Sequence, residues 1–335
     1  MPPGKVITFF FSFFFFSFFL RLTVKPLPVP DSDLRAPSSQ EEEDTEFWWK
    51  FSSPSSSDAD ADRVLVPVVD NGEVKDTNLL EKLASFMPLL GGTTEDVSKA
   101  FWIKNPELVT LFERCLEEIA VKRQANPTEF DRQEWKEGQG GKQREQIRAH
   151  LDSIAEATSS SLSLPSFLSS PVPVIRLVSE GAAARIAKCG FSLSSSSGSG
   201  WYGNGIYLTT RMAYAARRAP PPKEDSQPSV FVVGLAIFGN SYPATEPPVL
   251  GATSSNSKSL VGKPCLGGYQ SHYAAVDEGK KVNDAGLPLK EAPSAISSDE
   301  LVIFDPSQIL PLFVIHSKRR NGMSPPAIPF CLPNI

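Results

Sequence analysis

Ten residues in the C-terminal half, 229–238, read SVFVVGLAIF and are apolar almost without interruption. A strand with one face in water would alternate apolar and polar residues, so this run predicts a strand that is covered on both faces. Such a strand needs neighbours on both edges of a sheet. Further apolar segments predict those neighbours as strands at 271–276, 300–304 and 309–316, with a shorter strand at 206–209.

Helical signals come mainly before these strands. Asn105 as a cap, Pro106 in the first turn and an apolar stripe from Leu108 to Ile119 predict a helix, with Cys115 on its buried side. A second helix is predicted over 142–157. Ser179 predicts the start of a third helix and Gly190 its end. A short helix is predicted over 210–219. Helices followed by clustered strands predict an α+β fold, not an alternating α/β fold.

Proline and serine divide the chain into an ordered domain and its flanks. The 335 residues include 30 prolines, about twice the usual share. Many of them lie with serine and acidic residues in the first third, where apolar periodicity is weak. These patterns predict a low-complexity linker over 21–93, one domain over 94–320 and a Pro-rich tail over 321–335.

The first twenty residues contain VITFFFSFFFFSFFL at 6–20, which holds nine of the 22 phenylalanines. The run is shorter than the roughly 20 apolar residues that span a bilayer as a helix. Two interpretations stay open: a signal or anchor segment that associates with a membrane, or a low-complexity start outside the fold. The sequence assigns no compartment, although an intracellular location is favoured.

Composition excludes several classes of function. A net charge of −5 leaves no overall basic field for binding nucleic acid. The four cysteines lie far apart without a C-x-x-C pair, which excludes a zinc ribbon and disfavours a disulfide framework. Only three histidines are present, so a metal site built from histidine is also disfavoured. We therefore expect no metal.

Three blocks occur in order: the helix that ends in Gly190-Phe191, then WYGNGIYLTT from Trp201, then DELVIFDPSQILPLFVI from Asp299. Together they resemble the catalytic domain of poly(ADP-ribose) polymerases, of the diphtheria-toxin-like ADP-ribosyltransferase superfamily. The segment GGYQSHYAAV from Gly267 is similar to the stretch between the last two. The resemblance covers roughly residues 97–318. It implies an ADP-ribosyltransferase-like fold with two packed, mostly antiparallel sheets and flanking helices.

The resemblance also implies a reaction, in which ADP-ribose passes from NAD⁺ to an acceptor protein and nicotinamide leaves. A carboxylate beside the ribose carbon can stabilise the positive charge that develops there, and by resemblance this is Glu300. Tyr207 matches the tyrosine that stacks on nicotinamide, and Gly203 and Gly205 shape its loop. NAD⁺ is the expected substrate. Taken alone, Tyr207 could be an ordinary strand aromatic and Glu300 a solvated acid at a strand edge.

The expected nicotinamide pocket departs from the family pattern at several positions. A His-Gly pair is expected fourteen residues before Gly190, where this chain has Arg176-Leu177. A serine is expected at Ala215 and a second stacking tyrosine at Arg218, with Tyr214 nearby.

The leading hypothesis is an active transferase in which Glu300 and Tyr207 act and Arg176 and Tyr214 contact NAD⁺. The alternative hypothesis is a non-catalytic module of the same fold that binds ADP-ribose or a protein.

Overall fold

The structure is a computed structural model, and it describes residues 64–130, 132–137, 140–162, 171–193, 200–218, 228–245, 259–282, 285–289 and 296–317. The chain divides between Thr45 and Glu46, and all described residues belong to the second unit. The expected apolar segment 1–20, most of the linker before residue 64 and the tail 321–335 therefore lie outside the described residues.

Six helices and eleven strands are described, together with four short 3₁₀ turns. The helices are α1 Thr77–Phe86, α2 Pro106–Ala125, α3 Pro127–Phe130, α4 Gly141–Leu162, α5 Glu180–Cys189 and α6 Met212–Arg217. The strands are β1 Leu65–Asp70, β2 Glu73–Val74, β3 Val97–Ile103, β4 Val172–Val178, β5 Ile206–Leu208, β6 Ser229–Ala236, β7 Ser241–Pro243, β8 Ser271–Val282, β9 Ala285–Pro288, β10 Asp299–Ile303 and β11 Ile309–Ser317.

The first sheet has six strands in the order β2-β1-β3-β11-β6-β4, and all its neighbouring pairs are antiparallel. Strand β6 comes from the apolar run at 229–238 and is paired on both edges, with β11 and β4. Seven of its eight residues are buried, which confirms the prediction of a strand covered on both faces.

The second sheet has the order β5-β10-β8-β7, with β9 paired to β8. Only the β7–β8 pair is parallel. The two sheets meet where Ile175 of β4 pairs with Thr209, just after β5. Two mostly antiparallel sheets with flanking helices confirm the predicted α+β class.

The predicted helix caps are present. Asn105 accepts a hydrogen bond from the Leu108 amide at 3.3 Å, and its Nδ2 donates to the carbonyls of Ala187 and Lys188, each at 3.0 Å. One side chain thus joins the start of α2 to the end of α5. Ser179 caps α5, and Gly190 ends it with a φ of 75°. On α2, Phe112, Cys115, Leu116 and Ile119 are buried as expected, whereas Leu111 of the same stripe is half-exposed.

The linker prediction is wrong for residues 64–93. Strand β1 pairs with β3, and α1 begins after Asp76, whose side chain accepts from the Leu79 amide. Leu83, Phe86 and Leu90 from this region are fully buried. These apolar residues pack on the first sheet, but the Ser/Asp/Pro-rich residues before them weakened the pattern in the sequence. Helix α4 also extends to Leu162, five residues beyond its predicted end.

The described core has three clusters. Two are mainly aliphatic and pack the helices against the first sheet and the two sheets against each other. The third is aromatic and contains Trp201, Tyr202 and Tyr214, with Tyr207 packed against it. This aromatic cluster lies beside the candidate site. Among the described helices, none combines the length and apolar character that crossing a bilayer requires.

Candidate functional site

Tyr207 and Glu300 lie on neighbouring strands of the second sheet. Strand β5 pairs with β10 so that Tyr207 is directly opposite Val302. Residues two apart on a strand share a face, so Glu300 and Tyr207 project from the same side of the sheet. The structure therefore brings together the two residues that the sequence singled out most strongly.

The Tyr207 hydroxyl closes the loop that precedes its own strand. It donates to the carbonyl of Gly203 at 2.9 Å and accepts from the amide of Tyr202 at 2.8 Å. The ring is only partly buried, as a strand aromatic commonly is. With both bonds formed inside the loop, the hydroxyl holds the shape of residues 202–207.

The loop glycines are required by close packing against β10 and the residue after it. Gly203 has a φ of 121°, and a Cβ there would come within 2.6 Å of the Phe304 ring. A Cβ on Gly205 would lie 2.7 Å from the carbonyl oxygen of Ile303. Contacts this short would displace backbone or a packed ring, so residues larger than glycine are excluded at both positions. Their expected role in binding a cofactor stays a prediction.

Glu300 is almost completely buried, with 2% of its surface exposed. The interpretation of Glu300 as a solvated acid at a strand edge is therefore wrong. Its Oε1 accepts a hydrogen bond from the Tyr214 hydroxyl at 2.5 Å and forms an ion pair with Nη1 of Arg218. The same Nη1 donates to the Tyr214 hydroxyl at 2.8 Å. Arg218, Tyr214 and Glu300 form one bonded group, which we call the Glu300 triad.

Burial and charge fix the protonation of the residues around Glu300. Burial, followed by the negative charge of Glu300, raises the pKa of Tyr202 and of Tyr214 above the usual range. Both phenols are therefore protonated at neutral pH, and Tyr214 is a donor to the carboxylate. Burial disfavours the charge on Arg218, but the nearby Glu300 carboxylate and Tyr214 outweigh it and raise the pKa of the guanidinium.

Arg176 lies in the middle of β4, opposite Val232 of β6. Its side chain is partly buried and forms no hydrogen bond or ion pair with any residue in the described ranges. Burial lowers the pKa of the Arg176 guanidinium, and the positive charge of Arg218 lowers it further. Helix α6, which leads to Arg218, packs against β4. The two arginines thus share one region, and Leu177 packs in the first core cluster.

Asp299 is a buried carboxylate that the sequence did not identify as important. It accepts hydrogen bonds from the Thr209 hydroxyl at 2.7 Å, the Thr210 amide at 2.8 Å and the Tyr273 hydroxyl at 2.9 Å, and also from the Thr210 hydroxyl. Thr209 is the residue that pairs with β4 of the other sheet. Asp299 therefore joins β10 and β8 to the turn that leads into α6.

His272 is a second buried polar residue that the sequence did not identify. Its Nδ1 lies 2.6 Å from the carbonyl oxygen of Tyr202, and its Nε2 accepts from the Leu266 amide at 3.1 Å. This arrangement assigns the neutral tautomer with its proton on Nδ1. Burial lowers the pKa of His272 to about 4, although the bond to the Tyr202 carbonyl opposes the shift.

Acidification should destabilise the fold through His272. The unfolded side chain takes up a proton near pH 6.5, whereas the folded one resists until about pH 4. Stability that is fully present above pH 6.5 is therefore lost as the pH falls toward 4, by about 3 kcal/mol for this group. Urea unfolding at several pH values measures the loss.

The variant His272→Gln should flatten this pH dependence, because the residue no longer titrates. His316→Gln is the matched control. Burial also lowers the pKa of His316, which is bordered by Glu180 and Lys99, and we expect that control to keep most of the slope. Equal slopes in the wild type and in His272→Gln would contradict the assignment.

Within the described residues, no group of three or more His, Cys, Asp or Glu side chains is arranged to hold a metal ion. The site is built instead from arginines, tyrosines and carboxylates. Its chemistry is that of ion pairing and hydrogen bonding.

Comparison with known proteins gives limited results. No protein-family model matches the chain, and no curated protein matches it. Among solved structures, the chain is similar to one described as "Crystal structure of the TASOR pseudo-PARP domain". The identity is 13% and the TM-score 0.41, over 77% of this chain and 100% of that chain. A TM-score at this level supports no conclusion about function, so the function has to be inferred from the side chains of the chain itself.

Proposed function

We propose that the domain is a non-catalytic binding module with an ADP-ribosyltransferase-like fold. The observation that carries this proposal is the Glu300 triad. The carboxylate at the position expected for catalysis is buried and already bound by Arg218 and Tyr214.

The transferase reaction needs an available negative charge beside the ribose carbon, because positive charge develops there as nicotinamide leaves. In this chain the Arg218 guanidinium takes up that negative charge. A cationic reaction centre beside the triad would meet Arg218 as well as Glu300, so attraction and repulsion largely offset each other. The arrangement therefore favours binding over catalysis.

A second candidate, the NAD⁺-dependent transferase, is favoured by one observation. Tyr207 and Glu300 share a face of two paired strands, the arrangement that the resemblance implies for a catalytic pair. For this activity Arg218 would have to leave Glu300 when NAD⁺ and an acceptor protein bind.

Transfer of labelled ADP-ribose from NAD⁺ by the full chain separates the two candidates. We expect neither labelled protein nor nicotinamide release, both from the wild type and from Glu300→Gln. The variant Arg176→His/Leu177→Gly/Ala215→Ser/Arg218→Tyr restores the family pattern at the four departing positions. Labelling by the wild type that disappears in Glu300→Gln would overturn the non-catalytic proposal. Labelling by the restored variant alone would support it, because those four positions would then account for the lost activity.

A further inference from the structure

We propose that Arg176 and Arg218 together bind a phosphate group, and that this is the chemistry of the module's ligand. The inference rests on the proposed function, since it deepens what the same site binds. It concerns residues that are departures from the family pattern, so the expected ligand differs from a cationic nicotinamide.

The first step is the state of Arg176. A guanidinium carries five N–H donors, and none of those of Arg176 is used by the residues that the structure describes. The backbone is held in place by pairing with Val232, between the buried Ile175 and the partly buried Leu177. A partly desolvated charge without a protein partner reduces stability. A binding partner from solution would explain why the residue is tolerated there.

The second step is the unused capacity of Arg218. Its contacts to Glu300 and Tyr214 all come from Nη1. Within the described residues, Nε and Nη2 make no hydrogen bond. Arg218 can therefore keep its ion pair with Glu300 while it donates to a second anion.

The third step is the balance of charge. Arg176 and Arg218 carry two positive charges, and Glu300 neutralises one of them. The residue whose charge acts on Arg176 is another arginine, which also lowers the pKa of Arg176. A cationic nicotinamide ring is repelled by this excess positive charge, whereas an anion is attracted.

The fourth step is the kind of anion. Guanidinium groups bind phosphate through paired, charge-assisted hydrogen bonds, and one phosphate offers enough oxygens for two arginines. A phosphate group can therefore bridge Arg176 and the free edge of Arg218. Free inorganic phosphate and the phosphates of a nucleotide present the same chemistry.

The test measures the thermal stability of the full chain, and isothermal titration, with inorganic phosphate, pyrophosphate and ADP at constant ionic strength. We expect saturable stabilisation by at least one of the three. Response to phosphate or pyrophosphate would identify the phosphate group itself as sufficient, whereas response to ADP alone would identify a nucleotide as its source. No saturable response to any of them would overturn the proposal.

The variant Arg176→Met separates a binding role from a structural one. Without added anion it should be at least as stable as the wild type, because an unpartnered charge is replaced by an apolar chain of similar length. Its affinity for the anion that binds the wild type should fall at least about tenfold. Arg185→Met, at an exposed position on α5, is the matched control and should bind as the wild type does. Equal affinity in Arg176→Met and the wild type would overturn the proposal.

This outcome is independent of the labelling experiment. Phosphate binding with no transfer supports both proposals. Transfer of ADP-ribose would overturn the non-catalytic function, whereas the absence of anion binding without transfer would overturn only the phosphate site.

Discussion

Replacement of Asp299 by alanine is expected to lower the free energy of unfolding by at least about 4 kcal/mol. The change leaves the buried hydroxyls of Thr209, Thr210 and Tyr273 and one buried amide without their common acceptor. Each buried donor left unsatisfied costs about 1–3 kcal/mol, and the effects within one group are not fully additive. The loss is a large part of the 5–15 kcal/mol that stabilises a typical domain. Urea unfolding followed by circular dichroism measures it.

Two variants keep this prediction testable if Asp299→Ala does not fold. Asp299→Asn has nearly the same shape and keeps one acceptor oxygen, so we expect a loss of about 2 kcal/mol. Asp305→Ala removes an exposed carboxylate that caps a short turn through Ser307, and should cost about 1 kcal/mol. If Asp299→Asn costs no more than Asp305→Ala, Asp299 does not anchor the site.

Replacement of Arg218 by methionine should lower the free energy of unfolding by about 3 kcal/mol. It leaves Glu300 as a buried charge that only Tyr214 still contacts among the triad residues. Breaking a buried ion pair from one side commonly costs about 3–5 kcal/mol, and the lower end applies because Arg218 is 28% exposed. Chemical denaturation of Arg218→Met measures the effect. Arg217→Met, an exposed arginine on the same helix, is the matched control and should change stability by less than about 1 kcal/mol.

A double-mutant cycle isolates the pair itself. Adding Glu300→Leu to Arg218→Met removes the uncompensated charge, so we expect the double variant to be more stable than Arg218→Met alone. A double variant whose loss equals the sum of the two single losses would show that Arg218 and Glu300 are not coupled.

Much of the fold could be predicted because its signals are local. The apolar run at 229–238 could be stable only as a covered strand, and it became the paired strand β6. The caps at Asn105 and Ser179 placed two helix starts correctly, because capping depends on neighbouring residues. Residues 64–93 were missed because β1 and α1 are short and follow a segment rich in serine and aspartate. Their burial depends on distant partners such as β3.

The candidate site could be predicted only in part, for a related reason. Tyr207 and Glu300 were found through motifs, whereas the partners of Glu300 come from α6, more than eighty residues earlier in the chain. Arg218 was recognised only as the residue replacing an expected tyrosine. Asp299 and His272 are buried polar residues whose partners are brought together by sheet pairing. Neither has a local pattern that distinguishes it from an exposed polar residue.

Calorimetric titration of the full chain with NAD⁺ tests most directly the claim that Arg218 closes the expected catalytic site. With Glu300 held by Arg218 and with Arg176 nearby, we predict no binding of NAD⁺ tighter than about 1 mM, or about −4 kcal/mol. Glu300→Gln should not alter that result. Binding of NAD⁺ at about 10 µM or tighter, weakened by Glu300→Gln or by Tyr207→Ala, would contradict the account and favour the transferase.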